Sequence, residues 1–421
     1  MPVTKADLRQ NIVGASVGNV MQWYDFAVYA YMAPILGGLF FPSDDPLESL
    51  IGAFGAFAAG YVSGPIGAVI FGHIGDKIGR KAMLMVSILM MGLATTAIGA
   101  MPVEANIGWI AGAGLVALRM LQGIASSAEY TGSLAFVCEH APPKRRGFLA
   151  SFIMVGSNIG FLLGGGVAAL AGWVFTDAQL DAWAWRLPFL SGGIVAIIGL
   201  FLRLRLSEPP LPPDYEPPEG LPLVVAFRDY WREMLKVGGL CLTVNAGYYL
   251  IYVYVLSYLI TVTQMSRQVA TDMNIAALFV MVILPPLFAL LSDRFGRKPI
   301  LIIGNLAIVV LTYPLFILLD NSALLPVLLG QMGFAVIFSW IYGANSAAQV
   351  EVAPRKVRAT VMTIPENIVN CLFLGTVPLV ATFLVDETGD FYAPGYYLMG
   401  LAVLTLIAVI TTREMARKPL D

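Results

Sequence analysis

Charge is what this chain has least of. Only 12% of its 421 residues are Asp, Glu, Lys or Arg, about half the share of a soluble domain, while 58% are hydrophobic. So little polar surface cannot cover a water-soluble globule of this length, which excludes a soluble enzyme. A mean hydropathy of +0.77 over the whole length also excludes a soluble domain with a single anchor. The net charge is −2 and the basic residues stand in short separated clusters, which argues against nucleic-acid binding. Histidine is nearly absent, with two residues. The three cysteines (Cys138, Cys241, Cys371) lie in separate apolar stretches at no metal-ligand or disulfide spacing. There is no HExxH motif, cysteine cluster or Ser/His pairing to suggest an enzyme within the membrane. There is also no GxxxxGK[ST] loop to suggest ATP drive. No enzyme activity, cofactor or metal is therefore expected. The first apolar run is too long for a cleavable signal peptide.

Long hydrophobic runs are abundant. At about 20 apolar residues per crossing, twelve spans are expected, at roughly 11–40, 50–74, 82–101, 107–137, 147–172, 185–206, 236–262, 270–292, 299–319, 323–350, 358–385 and 393–412. The long polar stretch between the sixth and seventh has two parts. Glu208 to Pro222 holds seven prolines and should be extended. Leu221 to Lys236 is amphipathic and aromatic, either a helix on the membrane surface or an early start of the seventh span. With both termini in the cytoplasm, all but three of the 25 lysines and arginines fall on that side; the exceptions are Arg119, Arg186 and Arg267. The opposite loops are acidic, with Asp44, Asp45, Glu48, Asp177, Asp181, Asp386, Glu387 and Asp390.

The halves repeat. Gly75-Asp76-Lys77-Ile78-Gly79-Arg80-Lys81 returns as Ser292-Asp293-Arg294-Phe295-Gly296-Arg297-Lys298, 217 residues on. Glu139, Pro142, Lys144 and Arg146 return as Glu351, Pro354, Lys356 and Arg358, 212 residues on. The expected fold is therefore an all-α integral membrane protein of twelve transmembrane helices in two pseudo-symmetric six-helix bundles. These would be residues 1–206 and 236–421, joined by a cytoplasmic linker at 207–235. Parallel repeats of this kind mark transporters that rock about a midplane site.

The loop sequence at 72–81 and its partner at 292–298 resemble the cytoplasmic motif of the major facilitator superfamily. Four further stretches are similar to its metabolite:proton symporter family, which carries proline and betaine, α-ketoglutarate, citrate and shikimate. They are Gly18-Asn19 with Gln22-Trp23-Tyr24-Asp25-Phe26; Arg119 and Gln122-Gly123 with Glu129-Tyr130; Trp185-Arg186-Leu187-Pro188-Phe189; and Tyr396-Tyr397-Leu398-Met399. Two positions depart from that family: Gln22 stands where it usually has Glu, and Ser127-Ala128 where it usually has Gly-Gly. The long tail of its osmosensing members is not expected after Asp421. The resemblance implies proton-coupled symport of a small organic acid or zwitterion into the cytoplasm across a bacterial inner membrane. The chain should work as a monomer in a lipid bilayer, with protons and a small-molecule substrate as its partners. The repeat architecture equally allows a proton-coupled exporter.

Ionisable groups inside a span are costly and point to function. Asn19, Gln22, Asp25 and Tyr29 share one helical face; Arg119, Gln122, Ser126, Glu129 and Ser133 share another. Arg119 can pair with Asp25 or Glu129, leaving the other carboxylate to exchange protons. A static ion network holding the bundle together is the alternative. Asp76, Arg80, Asp293 and Arg297, with Glu139 and Glu351, form a candidate cytoplasmic gate. Substrate-binding candidates are Asn19, Gln22, Tyr29, Arg119, Gln122 and Asn158 in the first half. Those in the second half are Asn245, Tyr249, Tyr252, Trp340, Asn345 and Asn367. Aromatic faces could hold an alkylammonium group. Glu366 reads either as a second titrating group or as an N-terminal helix charge after Pro365. Gly156, Gly160 and Gly164 suggest close helix packing. His73 and His140 read as loop residues. With Arg119 as the main cation inside the bilayer, an amino acid, betaine or monocarboxylate fits better than a tricarboxylate.

Overall fold

The computed structural model describes residues 5–208, 219–261, 263–321 and 323–420. The proline cluster expected to be extended lies at 209–218, outside the described residues. Among the described residues there are only helices, turns and irregular segments. Twelve long helices follow one another. The first six are α1 (Lys5–Phe40), α2 (Pro46–Lys77), α3 (Arg80–Ala100), α4 (Ile110–His140), α5 (Arg146–Val174) and α6 (Arg186–Leu204). The second six are α7 (Trp231–Ile260), α8 (Arg267–Phe295), α9 (Arg297–Leu319), α10 (Leu324–Val352), α11 (Arg355–Thr388) and α12 (Ala393–Thr411).

Eleven of these are long and apolar enough to cross a membrane; α1 falls short on composition. Its 36 residues give ample length, but Asn11, Asn19, Gln22 and Asp25 lower its hydropathy. Three expected spans are irregular. Ser127 and Ala128 form a turn inside α4, dividing it into Ile110–Ser126 and Glu129–His140. α7 and α11 contain π-helical turns at Leu250–Tyr254 and Asn370–Leu374. The amphipathic stretch divides between its two readings: Pro222–Asp229 is a separate short helix, and Trp231 already begins α7.

The chain forms two compact units, Met1–His140 with Gly156–Leu223, and Ala141–Val155 with Val224–Asp421. In the first unit Tyr24, Val28, Met32, Leu36 and Phe40 of α1 pack with Ile98, Leu115, Trp185 and Phe189. Lipid is as apolar as these side chains, so close backbone approach matters more here than burial alone. A methyl on Gly160 of α5 would collide with the Val20 carbonyl of α1, and Gly156 and Gly164 face Ser16 and Tyr24. The four-residue glycine step is thus a packing face. In the second unit Thr243 of α7 donates to Thr405 of α12 at 2.8 Å.

Gly79 and Gly296 make the turns into α3 and α9 with φ of 131° and 103°, a region that side chains disfavour. Each also leaves room for a carboxylate. Glu208 accepts from the backbone N–H of Arg80 at 2.5 Å and of Lys81 at 3.1 Å. Glu414 accepts from that of Lys298 at 2.8 Å. Anions at helix N-termini satisfy orphan N–H groups and the helix dipole.

Candidate functional site

Apart from the loop pair Arg80–Asp76, two buried ion pairs of the first unit, Arg119–Asp25 and Arg203–Glu129, partition the expected residues. Arg119 on α4 and Asp25 on α1 are each 1% exposed, with Arg119 Nη1 3.1 Å from Asp25 Oδ2. The same Nη1 donates to Gln122 Oε1 at 2.8 Å. Thr95 of α3 donates to Asp25 Oδ1 at 2.9 Å and receives Gln122 Nε2 at 2.8 Å. The guanidinium carbon lies 4.2 Å from the Tyr29 ring centroid, 5.1 Å from Phe57 and 5.5 Å from Phe26, within cation–π range. Tyr29 donates its hydroxyl to the Ala53 carbonyl at 2.8 Å. Arg119 Nε, Asn19 Oδ1 and Gln22 Oε1 are buried without hydrogen-bond partners. Buried polar atoms are normally paired, so these three are open to a further partner.

Glu129 is placed elsewhere. Its partner is Arg203 of α6, at 2.5 Å and 2.9 Å through both carboxylate oxygens, with both residues 0% exposed. Ser87 also donates to Glu129, and Arg203 donates to the carbonyls of Gly14, Leu84 and Ala15. Asn19 Nδ2 donates to the Glu129 carbonyl at 3.2 Å. Arg119 is therefore not the only fully buried arginine of this unit, and it pairs with Asp25 rather than Glu129. In the sequence Arg203 lies among the positive residues at a helix end and reads as topology charge. The signal that could have found it is helical spacing, because Gly192, Ala196, Gly199 and Arg203 step by three or four along the buried stripe of α6. Asn158 is buried on α5. Arg186 caps α3 through the carbonyls of Gly99 and Met101, at 2.9 and 2.6 Å.

The second unit gathers Asn245 of α7 with Glu366 and Asn370 of α11. Asn245 Nδ2 donates to Glu366 Oε1 at 2.9 Å and to Asn370 Oδ1 at 2.6 Å, while Cys241 donates to Glu366 Oε2 at 2.5 Å. Glu366 lies well inside the helical stretch Arg358–Val369, as does Pro365, so it is not a helix-start charge. Tyr249 and Tyr252 are buried, with the Tyr252 ring 4.9 Å from Tyr248 and its hydroxyl unpartnered. Asn345 is buried with both amide atoms unpartnered. Two candidates are committed to their surroundings: Trp340 donates to the Ile300 carbonyl at 2.8 Å, and Asn367 to the Thr363 carbonyl at 2.8 Å.

The repeated loops carry charge networks. Arg80 Nη1 sits 2.8 Å from Asp76, and its Nη2 3.4 Å from Glu139. Arg297 sits 2.7 Å from Asp293 and 3.2 Å from Glu351, which also binds Arg146 at 2.9 Å. Asp293 accepts the backbone N–H groups of Gly147 and Phe148, both at 2.9 Å, at the start of α5. The sequence reading missed the capping residues Glu208 and Glu414, which come from the chain just after the sixth and the twelfth helix. His73 and His140 lie on helices rather than loops; His73 is exposed, and His140 is buried with its ring 4.5 Å from Phe136. Among the described residues no group of three or more His, Cys, Asp or Glu is placed to hold a metal ion.

Long apolar helices, repeated charged turns and buried ion pairs inside the helices define a polytopic membrane transporter. The chain belongs to the Major Facilitator Superfamily, whose family model matches residues 15–279 and 240–420. It is 36% identical over 425 aligned residues to the proline/betaine transporter of Salmonella typhimurium, covering 98% of this chain and 85% of that one. It is 32% identical to the ectoine/proline transporter ProP of Corynebacterium glutamicum, over 98% of this chain and 85% of that one. Its fold is similar to a solved structure of the proton:xylose symporter XylE bound to 6-bromo-6-deoxy-D-glucose. There the TM-score is 0.79 at 17% identity, covering 99% of this chain and 98% of that one. It is an integral membrane transporter, not an enzyme.

Proposed function

We propose that this chain is a proton-coupled symporter that imports a small zwitterion bearing a carboxylate and a cationic nitrogen, by alternating access. The Arg119–Asp25 pair carries the reading. A substrate carboxylate that engages Arg119 weakens the hold on Asp25, which then binds a proton more readily. Proton and substrate thereby favour each other's binding, as linkage requires. Gln122 and Tyr29 touch the same guanidinium, Asn19 and Gln22 share the helix face of Asp25, and together they would orient the substrate. Relatives named for proline, betaine and ectoine support the zwitterion class. Glu129, held on both oxygens by Arg203, is assigned a structural role, so coupling in this unit rests on Asp25.

The two loop networks serve as gates whose ion pairs hold one of two packings. The protein acts as a monomer in a bacterial inner membrane, both termini cytoplasmic, consistent with the distribution of lysine and arginine. A thermal-shift screen of the purified protein tests the substrate class. Proline or glycine betaine should stabilise it more than citrate or α-ketoglutarate. Stabilisation by citrate alone refutes the zwitterion reading.

A further inference from the structure

Six carboxylates are buried among the described residues, and five lie within 3.1 Å of an arginine nitrogen: Asp25, Asp76, Glu129, Asp293 and Glu351. The sixth is Glu366. It is 5% exposed and stands eight residues into the helix that starts at Arg358, about 12 Å along the axis. Among the described residues no lysine, arginine or histidine lies within 4.0 Å of it. The groups that face it are neutral: the Cys241 thiol and the Asn245 amide from α7, and Asn370 one turn further on.

The helices packed against this part of α11 are α7 and α10. Their charged residues stand in end turns: Arg232, Glu233 and Lys236 on α7, and Glu351 on α10. Neutral donors can satisfy carboxyl oxygens, but they do not offset the cost of a full charge at this depth. A carboxyl in such a place must take up a proton or a cation. Asn370 of the cluster itself opens the π turn Asn370–Leu374 of α11, and α7 widens likewise at Leu250–Tyr254. Such turns recur at functional sites.

We propose that Glu366 is a second proton-binding site of the carrier, separate from Asp25, which gains and loses a proton in each transport cycle. The step is proton transfer alone. An O–H bond forms on a Glu366 oxygen with a proton from water on one side of the membrane. It breaks to return that proton to water on the other side, and no electrons move between centres. Asn245 and Cys241 act as positioning residues that hold the carboxyl in place in both states.

The proposal rests on the symport reading, and the test separates the two. Purified carrier in liposomes is assayed with proline and glycine betaine as probes, and the proton-to-substrate ratio is read from the reversal potential. The expected result for Glu366→Gln is counterflow exchange retained and a ratio lower by one proton. Glu366→Asp should keep the ratio and shift the pH profile of uptake. An unchanged ratio in Glu366→Gln overturns the proposal. So does loss of probe binding and counterflow in a variant that still inserts, which would make Glu366 a ligand for the substrate cation. If the glutamine variant does not insert, an unshifted pH profile in Glu366→Asp overturns it instead. A parent carrier that moves no protons refutes symport itself. Infrared difference spectra then decide Glu366: a protonated carboxyl band that persists in Glu366→Asp with a shifted pH midpoint supports the site, and no such band overturns it.

Discussion

Replacing Glu129 by Gln tests whether a buried carboxylate in a transporter must be a coupling group. Glu129 and Arg203 are both 0% exposed and joined through both carboxylate oxygens, at 2.5 and 2.9 Å. Glutamine keeps the shape but leaves the arginine charge uncompensated in a low-dielectric interior. Removing one partner of such a pair typically costs about 3–5 kcal/mol. The carbonyls of Gly14, Leu84 and Ala15 still receive the guanidinium, which favours the lower end of that range. Reversible unfolding in mixed micelles measures the loss. Glu129→Gln with Arg203→Met removes both charges and should recover more than half of it, because apolar replacement of a whole buried pair is often close to neutral. Where the single variant remains folded, uptake should still follow a proton gradient. A Glu129→Gln protein as stable as its parent yet uncoupled from protons would refute the argument and return the coupling role to α4.

Three other expectations follow from the same geometry. Arg119→Ala should abolish uptake while the protein still inserts and folds, since its guanidinium holds Asp25 and Gln122; near-normal uptake contradicts a substrate or coupling role. Asp25→Asn should lose gradient-driven accumulation but keep counterflow, because exchange needs no net proton movement; full accumulation in that variant makes Asp25 structural. Asp76→Asn and Asp293→Asn should slow turnover more than they weaken equilibrium binding of proline. Both carboxylates sit in charged helix turns, 2.8 and 2.7 Å from Arg80 and Arg297, and lost binding at an unchanged exchange rate contradicts a gate.

The fold was readable because two signals were redundant. Apolar runs of membrane length and the charged turn repeated 217 residues apart independently gave the same twelve-helix repeat. Helix α1 shows the limit of hydropathy, since Asn19, Gln22 and Asp25, which lower its score, are also the residues of its candidate site face. Helical spacing made Arg119 and Asp25 legible as charges inside apolar runs but left Arg119 two partners, Asp25 and Glu129, and the structure pairs it with Asp25. Arg203 was not legible. A basic residue one turn from a helix end looks the same whether it faces headgroups or turns inward to a carboxylate. Only the packing of α6 against α1 and α3 decides between them. The irregular turns at Ser127–Ala128, Leu250–Tyr254 and Asn370–Leu374 were hidden because hydropathy does not register backbone pitch. The Glu208 and Glu414 caps were hidden because each lies far in sequence from the glycine turn it completes.

Proton-coupled uptake can be measured with the purified carrier in liposomes. Labelled proline or glycine betaine is offered outside while an inward pH step is imposed, with sodium present or absent. Accumulation should exceed the external concentration, rise with the size of the step, collapse with a protonophore and ignore sodium. Accumulation that ignores the pH step, or that requires sodium, contradicts proton-coupled uptake.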